Sequence, residues 1–183
     1  QILHPKTTRD DTALPRKLKG KQIADISRRG KLLMIHFKDA NDMLSIHLKM
    51  TGQLLFVEKE VKAGLPAEAR RAQAGGGHTL SASDLDLPNA HTRAIITFTD
   101  GSQLYFNDLR LFGYIKLIDP AEHQMILAGY GIEPGMDAFT WEAFQQIFKG
   151  RNTNIKALLL NQSVIAGLGN IYVDEACYYA GVK

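Results

Sequence analysis

Cysteine is nearly missing from this sequence, with Cys177 the single one in 183 residues. That excludes an internal disulfide framework and any cysteine-rich zinc site built from these residues alone. Long apolar runs are missing as well. None approaches the roughly 20 residues that a membrane span needs, and no signal-peptide pattern opens the chain. A strong charge bias is also lacking. Lys and Arg number 22 against 19 Asp and Glu, a net charge of +3 with a pI near 9.0. Such an excess permits an anionic partner without requiring one, so the placement of the cations has to decide. No two histidines stand at metal-ligand spacing. A cytoplasmic, reducing setting fits these absences.

What is present is ordinary for a globular chain: 45% apolar and 22% charged residues, enough for one large domain or two small ones. The first twenty residues are polar and broken by Pro5 and Pro15, which predicts loop or edge. From Lys21 short apolar runs follow at 23–26, 32–37, 43–48 and 54–57. Gly30, Asn41-Asp42 and Gly52 punctuate them, the pattern of adjacent antiparallel strands. Residues 58–90 differ, with a charged, Ala-rich stretch of marginal helix and then Gly75-Gly76-Gly77. They read as a mobile insertion. Strands resume at 94–98, turn at Thr99-Asp100-Gly101, and continue at 104–106 and 111–118.

From Pro120 the period is helical. One helix runs over 120–128 and stops at Gly129. Thr140 caps another that carries Trp141, Phe144, Ile147 and Phe148. Asn154 caps a third, which Gly167-Leu168-Gly169-Asn170 breaks before a last helix from Ile171. The expected fold is α+β, an antiparallel β-sandwich over 1–119 (with 58–90 as a flexible insertion) followed by a helical domain over 120–183. Gln1-Ile2-Leu3-His4 is not an initiator sequence and the last residues stop as a helix finishes, so a fragment is expected.

Three constellations carry possible chemistry. A Gly-x-Gly turn opening a helix aims backbone N–H groups and the positive end of the helix dipole at one point, which suits a phosphate. Asn170 adds a donor there, and Arg151 and Lys156 precede it. A plain tight turn between helices explains the glycines equally well. Second, Ser27-Arg28-Arg29-Gly30-Lys31 gathers cations at a strand junction, and a regular extended backbone would put Arg29 and Lys31 on one face. A lysine there suits a phosphate or proton transfer in an elimination, although spacing alone favours a solubilising turn. Third, Met50 and, further on, Arg110 and Phe112 stand on loops just before Gly52 and Gly113. Bulky tips of this kind can wedge into a base stack, and an arginine can fill the place of a flipped base. Taken singly, Met50 and Phe112 read more simply as core residues at strand ends. His91 opens the strand leading towards Arg110, while His36 and His47 read as packing histidines.

Together these stretches resemble the formamidopyrimidine-DNA glycosylase family. The resemblance rests on residues 27–33 (SRRGKLL), 47–52 (HLKMTG), 99–114 with their NDLRLFGY end, 131–134 (GIEP) and 155–176 (IKALLLNQSVIAGLGNIYVDEA). It implies a β-sandwich and a helical domain with a helix–two-turn–helix motif, gripping damaged double-stranded DNA. It implies a base-excision repair glycosylase and AP lyase that flips and removes oxidised purines, 8-oxoguanine or formamidopyrimidines, through a Schiff base on an N-terminal proline amine. Strand nicking follows by β,δ-elimination. By position, Lys31 matches the lysine of β-elimination. Met50, Arg110 and Phe112 match the residues that fill the gap left by the flipped base. His91, Arg110, Arg151, Lys156 and Asn170 match contacts to the DNA backbone.

Two family features have no counterpart in these residues: the Pro-Glu-Leu-Pro-Glu segment with its first helix, and a four-cysteine zinc hairpin. The resemblance therefore implies zinc in a full-length protein and none in this chain, a monomer, and a nucleoid-associated location. It also leads to the expectation that these 183 residues alone cannot be trapped on lesion DNA by borohydride. An endonuclease VIII-like pyrimidine glycosylase and a non-enzymatic nucleic-acid-binding helix–two-turn–helix module are the alternatives.

Overall fold

The structure, a computed structural model, describes residues 1–59, 74–77 and 87–182. The chain divides into two compact units, Gln1–Ile26 with Leu33–Leu117, and Ser27–Leu32 with Ile118–Lys183. The six residues 27–32 thus join the second unit, which chain order alone does not suggest.

The first unit is built on two four-stranded sheets. One has the order β1 (Ile23–Arg29), β2 (Leu32–Phe37), β3 (Met43–His47), β8 (Tyr114–Ile118); the other runs β5 (Ala74–Gly77), β4 (Gly52–Val57), β7 (Gln103–Asp108), β6 (Thr92–Thr97). Period-two spacing explains their core. Leu33, Ile35 and Phe37 of β2, Leu44 and Ile46 of β3, and Ile115 and Leu117 of β8 meet Leu54, Ala94, Ile96 and Phe106 in one cluster. On each strand the members stand two apart, so they share a face, and the faces of the two sheets close on each other. Phe106 lies opposite Leu54 on one side and Ala94 on the other, and is 1% exposed. Burial of such a ring stabilises by about 1.5–3 kcal/mol.

Two expectations change in this unit. The segment around Pro5 and Pro15 is not plain loop: a 3-10 turn spans Pro5–Thr8 and helix α1 spans Leu14–Leu18. Proline is compatible with a first helical turn, where its missing N–H costs nothing, and Asp11 accepts from the Ala13 N–H at 3.0 Å just ahead of α1. Residues 1–3 form an edge, with the Leu3 N–H donating to Arg93 O at 2.8 Å and Ile95 N–H to Gln1 O at 2.8 Å. The glycines at 75–77, expected in the insertion, pair antiparallel with β4. A ladder needs only backbone groups, and at Gly77, with φ +115°, a Cβ would lie 2.2 Å from Gly52 O. The helix expected over 58–74 falls mostly outside the described residues.

The second unit carries helices α2 (Pro120–Ala128), α3 (Trp141–Phe148), α4 (Ile155–Leu160) and α5 (Asn170–Tyr179). The capping residues are those the sequence suggests. Thr140 accepts from Ala143 N–H and Asn154 from Ala157 N–H, each at 3.2 Å, and Gly129 closes α2. Leu159, Ile165 and Val173 form a buried core with Phe139, Phe144, Ile147, Phe148 and Leu168 around it. The glycines do not break α4, which ends at Leu160, well before them. Residues 161–169 form an irregular connection held by Gln162. Its Nε2 donates to Leu160 O at 3.0 Å and Leu168 O at 2.8 Å, and its Oε1 accepts from Gly167 N–H at 2.9 Å. One side chain thus satisfies backbone groups of both turns, the groups that helix ends leave over.

Candidate nucleic-acid interface

In the first unit, two loops stand side by side, one between β3 and β4 and one between β7 and β8. Asp108, 1% exposed, ties them together. Its Oδ1 accepts from the Thr51 hydroxyl and from Arg110 N–H, and its Oδ2 accepts from Gly113 N–H at 2.8 Å. The Arg93 guanidinium donates to Asp108 O at 2.7 Å, and His91 O accepts the Asp108 N–H at 2.9 Å. A carboxylate buried with this many donors is stable where an unpaired one would not be.

The scaffold leaves the tips outside. Met50 is 59% exposed, Leu109 58% and Phe112 54%, so neither Met50 nor Phe112 is the core residue that it might be singly. The Arg110 guanidinium reaches the Met50 sulfur at 3.8 Å. Met50 and Arg110 thus meet at their tips, and Phe112 is exposed on the same loop as Arg110, all on loops that Asp108 ties together. Leu111 adopts φ +59°, a left-handed conformation that a leucine rarely takes, so the chain is turned sharply between Arg110 and Phe112. Gly113 follows because a Cβ there would lie 2.7 Å from the Phe106 ring and 3.1 Å from His47 O.

In the second unit, Lys31 stands at the strand junction that the sequence suggests. Gly30 and Lys31 form the turn between β1 and β2, and Gly30 has φ +56°. That kink removes the regular extended backbone on which the alternation of Arg29 and Lys31 depends. The two arginines act instead on Glu133, 7% exposed. Arg28 Nη1 donates to Glu133 Oε1, while Arg29 Nη1 and Gly30 N–H donate to Oε2 at 3.2 Å each. Arg29 also donates to Gly131 O at 2.6 Å. Burial pushes the Glu133 carboxyl up, but Arg28, the Gly30 N–H and Arg29 outweigh it and hold its pKa below the usual value.

This clamp seats the turn against Gly167 and Gly169. A Cβ on Gly30 would come within 3.3 Å of Gly167 N, and one on Gly169 within 2.7 Å of Lys31 Nζ. Lys31 as a whole is exposed, yet its ammonium end lies against the first turn of α5, and burial of that end lowers its pKa below the lysine norm. A more acidic ammonium transfers its proton more readily near neutral pH.

Asn170 is the next residue, exposed and first in α5, with Gly169 at the N-cap in place of a side chain. Lys156, in the first turn of α4, meets Asp174 of α5 at 2.6 Å. Arg151 stands exposed between α3 and α4. Lys31, Asn170 and Lys156 are thus gathered around the start of α5, and Met50, Arg110, Phe112 and, through Asp108, His91 around the loops of the other unit. Glu133, Asp108, Thr51 and Gln162 were not singled out from sequence. Glu133, and Thr51 with Asp108, are linked to residues far along the chain, whereas Gln162 ties backbone groups near itself; neither kind of contact leaves a periodic signal.

Comparison with known proteins decides the family. The family model described as the formamidopyrimidine-DNA glycosylase N-terminal domain matches residues 1–115, and the family's H2TH domain matches residues 130–183. The chain belongs to the formamidopyrimidine-DNA glycosylase family. A formamidopyrimidine-DNA glycosylase of Paracoccus denitrificans is 37% identical over 90% of this chain and 52% of its own length. One from Protochlamydia amoebophila is 35% identical over 98% of this chain and 56% of its own. The chain therefore spans about half the length of these relatives. Among solved structures, a Lactococcus lactis Fpg mutant complexed with a Fapy-dG-containing DNA superposes with a TM-score of 0.75 at 28% identity, covering 100% of this chain and 59% of that one. A complex between the Lactococcus lactis Fpg and an abasic-site-containing DNA gives 0.71. The first of these family domains ends at residue 115, within β8, and the second begins at residue 130, just after α2.

Proposed function

We propose that the protein carrying this chain is a base-excision repair glycosylase and AP lyase acting on damaged double-stranded DNA, with oxidised purines as the bases removed. The carrying observation is the set of exposed tips, Met50, Arg110 and Phe112, on loops that Asp108 ties together. A non-enzymatic binding module has no use for a rigid wedge, whereas an enzyme that extrudes a base must fill the space left behind. The relatives carry the glycosylase name, and structures similar to this one hold Fapy-dG or abasic-site DNA.

In this reading Arg151, Lys156, Asn170 and His91 hold the DNA backbone, which fixes register and carries no sequence information. Arg110 and Phe112 occupy the vacated stack with Met50. After a proline amine supplied outside these residues has displaced the base at C1′, β-elimination removes a C2′ proton and releases the 3′ phosphate. Lys31, with its eased proton release, serves the proton transfers of that step. Zinc belongs to the full-length protein in this reading. Among the described residues no group of three or more His, Cys, Asp or Glu is placed to hold a metal, and no step is routed through one. The protein acts as a monomer at the nucleoid.

The test is a single-turnover assay of the intact protein on a duplex with one 8-oxoguanine. Base release and strand nicking are expected, with Lys31→Met slowing nicking of a preformed abasic site by about 100-fold, as for loss of one proton-transfer group, and binding little changed. Nicking at the wild-type rate would contradict the assignment of Lys31. Faster removal of an oxidised pyrimidine than of 8-oxoguanine would contradict the purine reading.

A further inference from the structure

Asp174 is a carboxylate inside a surface that the function reading gives to phosphates. It stands four residues after Asn170 in α5, so both lie on the same face of the helix. Its Oδ1 is 2.6 Å from Lys156 Nζ, and the two side chains are 53% and 48% exposed. Two of the backbone-contact residues therefore flank an acid that already neutralises one of them. Resting on the phosphate role of Lys156 and Asn170, we propose that Asp174 competes with DNA phosphate for Lys156 and so sets the protein's general affinity for duplex DNA.

An approaching phosphate gains Lys156 only by displacing Asp174 or by accepting a carboxylate beside it, and either costs Coulomb energy. The pair is half-exposed, so it is weak and opens readily. Finally, the contact is to the backbone, so the penalty falls on undamaged and damaged duplex alike. The wedge at Met50, Arg110 and Phe112 is not involved. Asp174 thus lowers non-specific binding while leaving the preference for a lesion unchanged, which shortens the time spent on undamaged DNA.

The experiment titrates the intact protein and its Asp174→Asn variant with undamaged and abasic-site duplexes over a range of salt concentrations. Asp174→Asn is expected to bind both duplexes about two- to fivefold more tightly, the range of an exposed ion pair. The slope of log K against log salt should steepen by about 0.9, one phosphate contact in full. In a Lys156→Ala background the same substitution should do nothing. Unchanged or weaker binding by Asp174→Asn would overturn the proposal, and so would a gain confined to the abasic duplex. If Lys156→Ala alone leaves binding untouched, it is the phosphate role of Lys156 that fails. Equal melting temperatures exclude a folding effect.

Discussion

At the scale of single residues, Gly169 separates structure from chemistry. A Cβ there would meet only the flexible end of Lys31, with Nζ at 2.7 Å and Cε at 3.4 Å, and its φ of −126° is open to any residue. Gly169→Ala should therefore keep stability within about 0.5 kcal/mol of wild type, as an unstrained surface change does. It should nevertheless displace the ammonium and slow abasic-site nicking. A stopped assay beside a thermal melt checks both, and wild-type nicking would show that the position of Lys31 does not matter. Glu133 makes the opposite prediction. Because its folded pKa is depressed, its contribution to stability is present above the unfolded value of 4.5 and is lost as pH falls through the lower folded value. Arg28 is 60% exposed, so solvent screens part of the pair. Glu133→Gln should then cost about 1–3 kcal/mol at pH 7. The gap to wild type should close as acid protonates Glu133, which denaturant melts between pH 7 and pH 3 would read. A gap that widens in acid would reverse the assignment.

At the scale of elements, the strands and caps were legible and the joints were not. Period-two apolar runs located seven of the eight strands among the described residues, and Thr140, Asn154 and Gly129 marked helix ends, because such signals are local and repeat. Pro15 misled for a related reason. Proline ends a helix from within but starts one at its first turn, and only the chain's path tells which. The kink at Gly30 depends on Glu133, whose partners are far along the chain, and the end of α4 at Leu160 on Gln162, whose partners are near but irregularly spaced. The wedge was legible as a possibility, but its exposure was not, since Met and Phe before a glycine fit a core as well. Gln162 gives the element-scale prediction. Gln162→Ala removes three backbone partners at once and should destabilise the second unit by about 2–3 kcal/mol, the scale of buried groups left unsatisfied. Hydrogen exchange should then rise at Gly167 while the strands of the first unit stay protected. Uniform loss of protection would mean that the connection is not separately held.

At the scale of the whole molecule, a net charge of +3 is too small to make a general polyanion trap. The cations that matter are few and placed, and so is the wedge. In the proposed function, specificity for damage comes from what fills the duplex rather than from the total charge of these residues. The direct measurement is the affinity of intact Arg110→Ala protein for an abasic-site duplex, an undamaged duplex and an RNA of equal length. Arg110 carries the gap-filling contact in this account, so loss on the abasic-site duplex should be about tenfold or more, the scale of a central arginine anchor. Loss on the undamaged duplex and the RNA should stay within about threefold, as for one exposed phosphate contact. An equal loss on all three would contradict the account and leave these loops as ordinary backbone contacts.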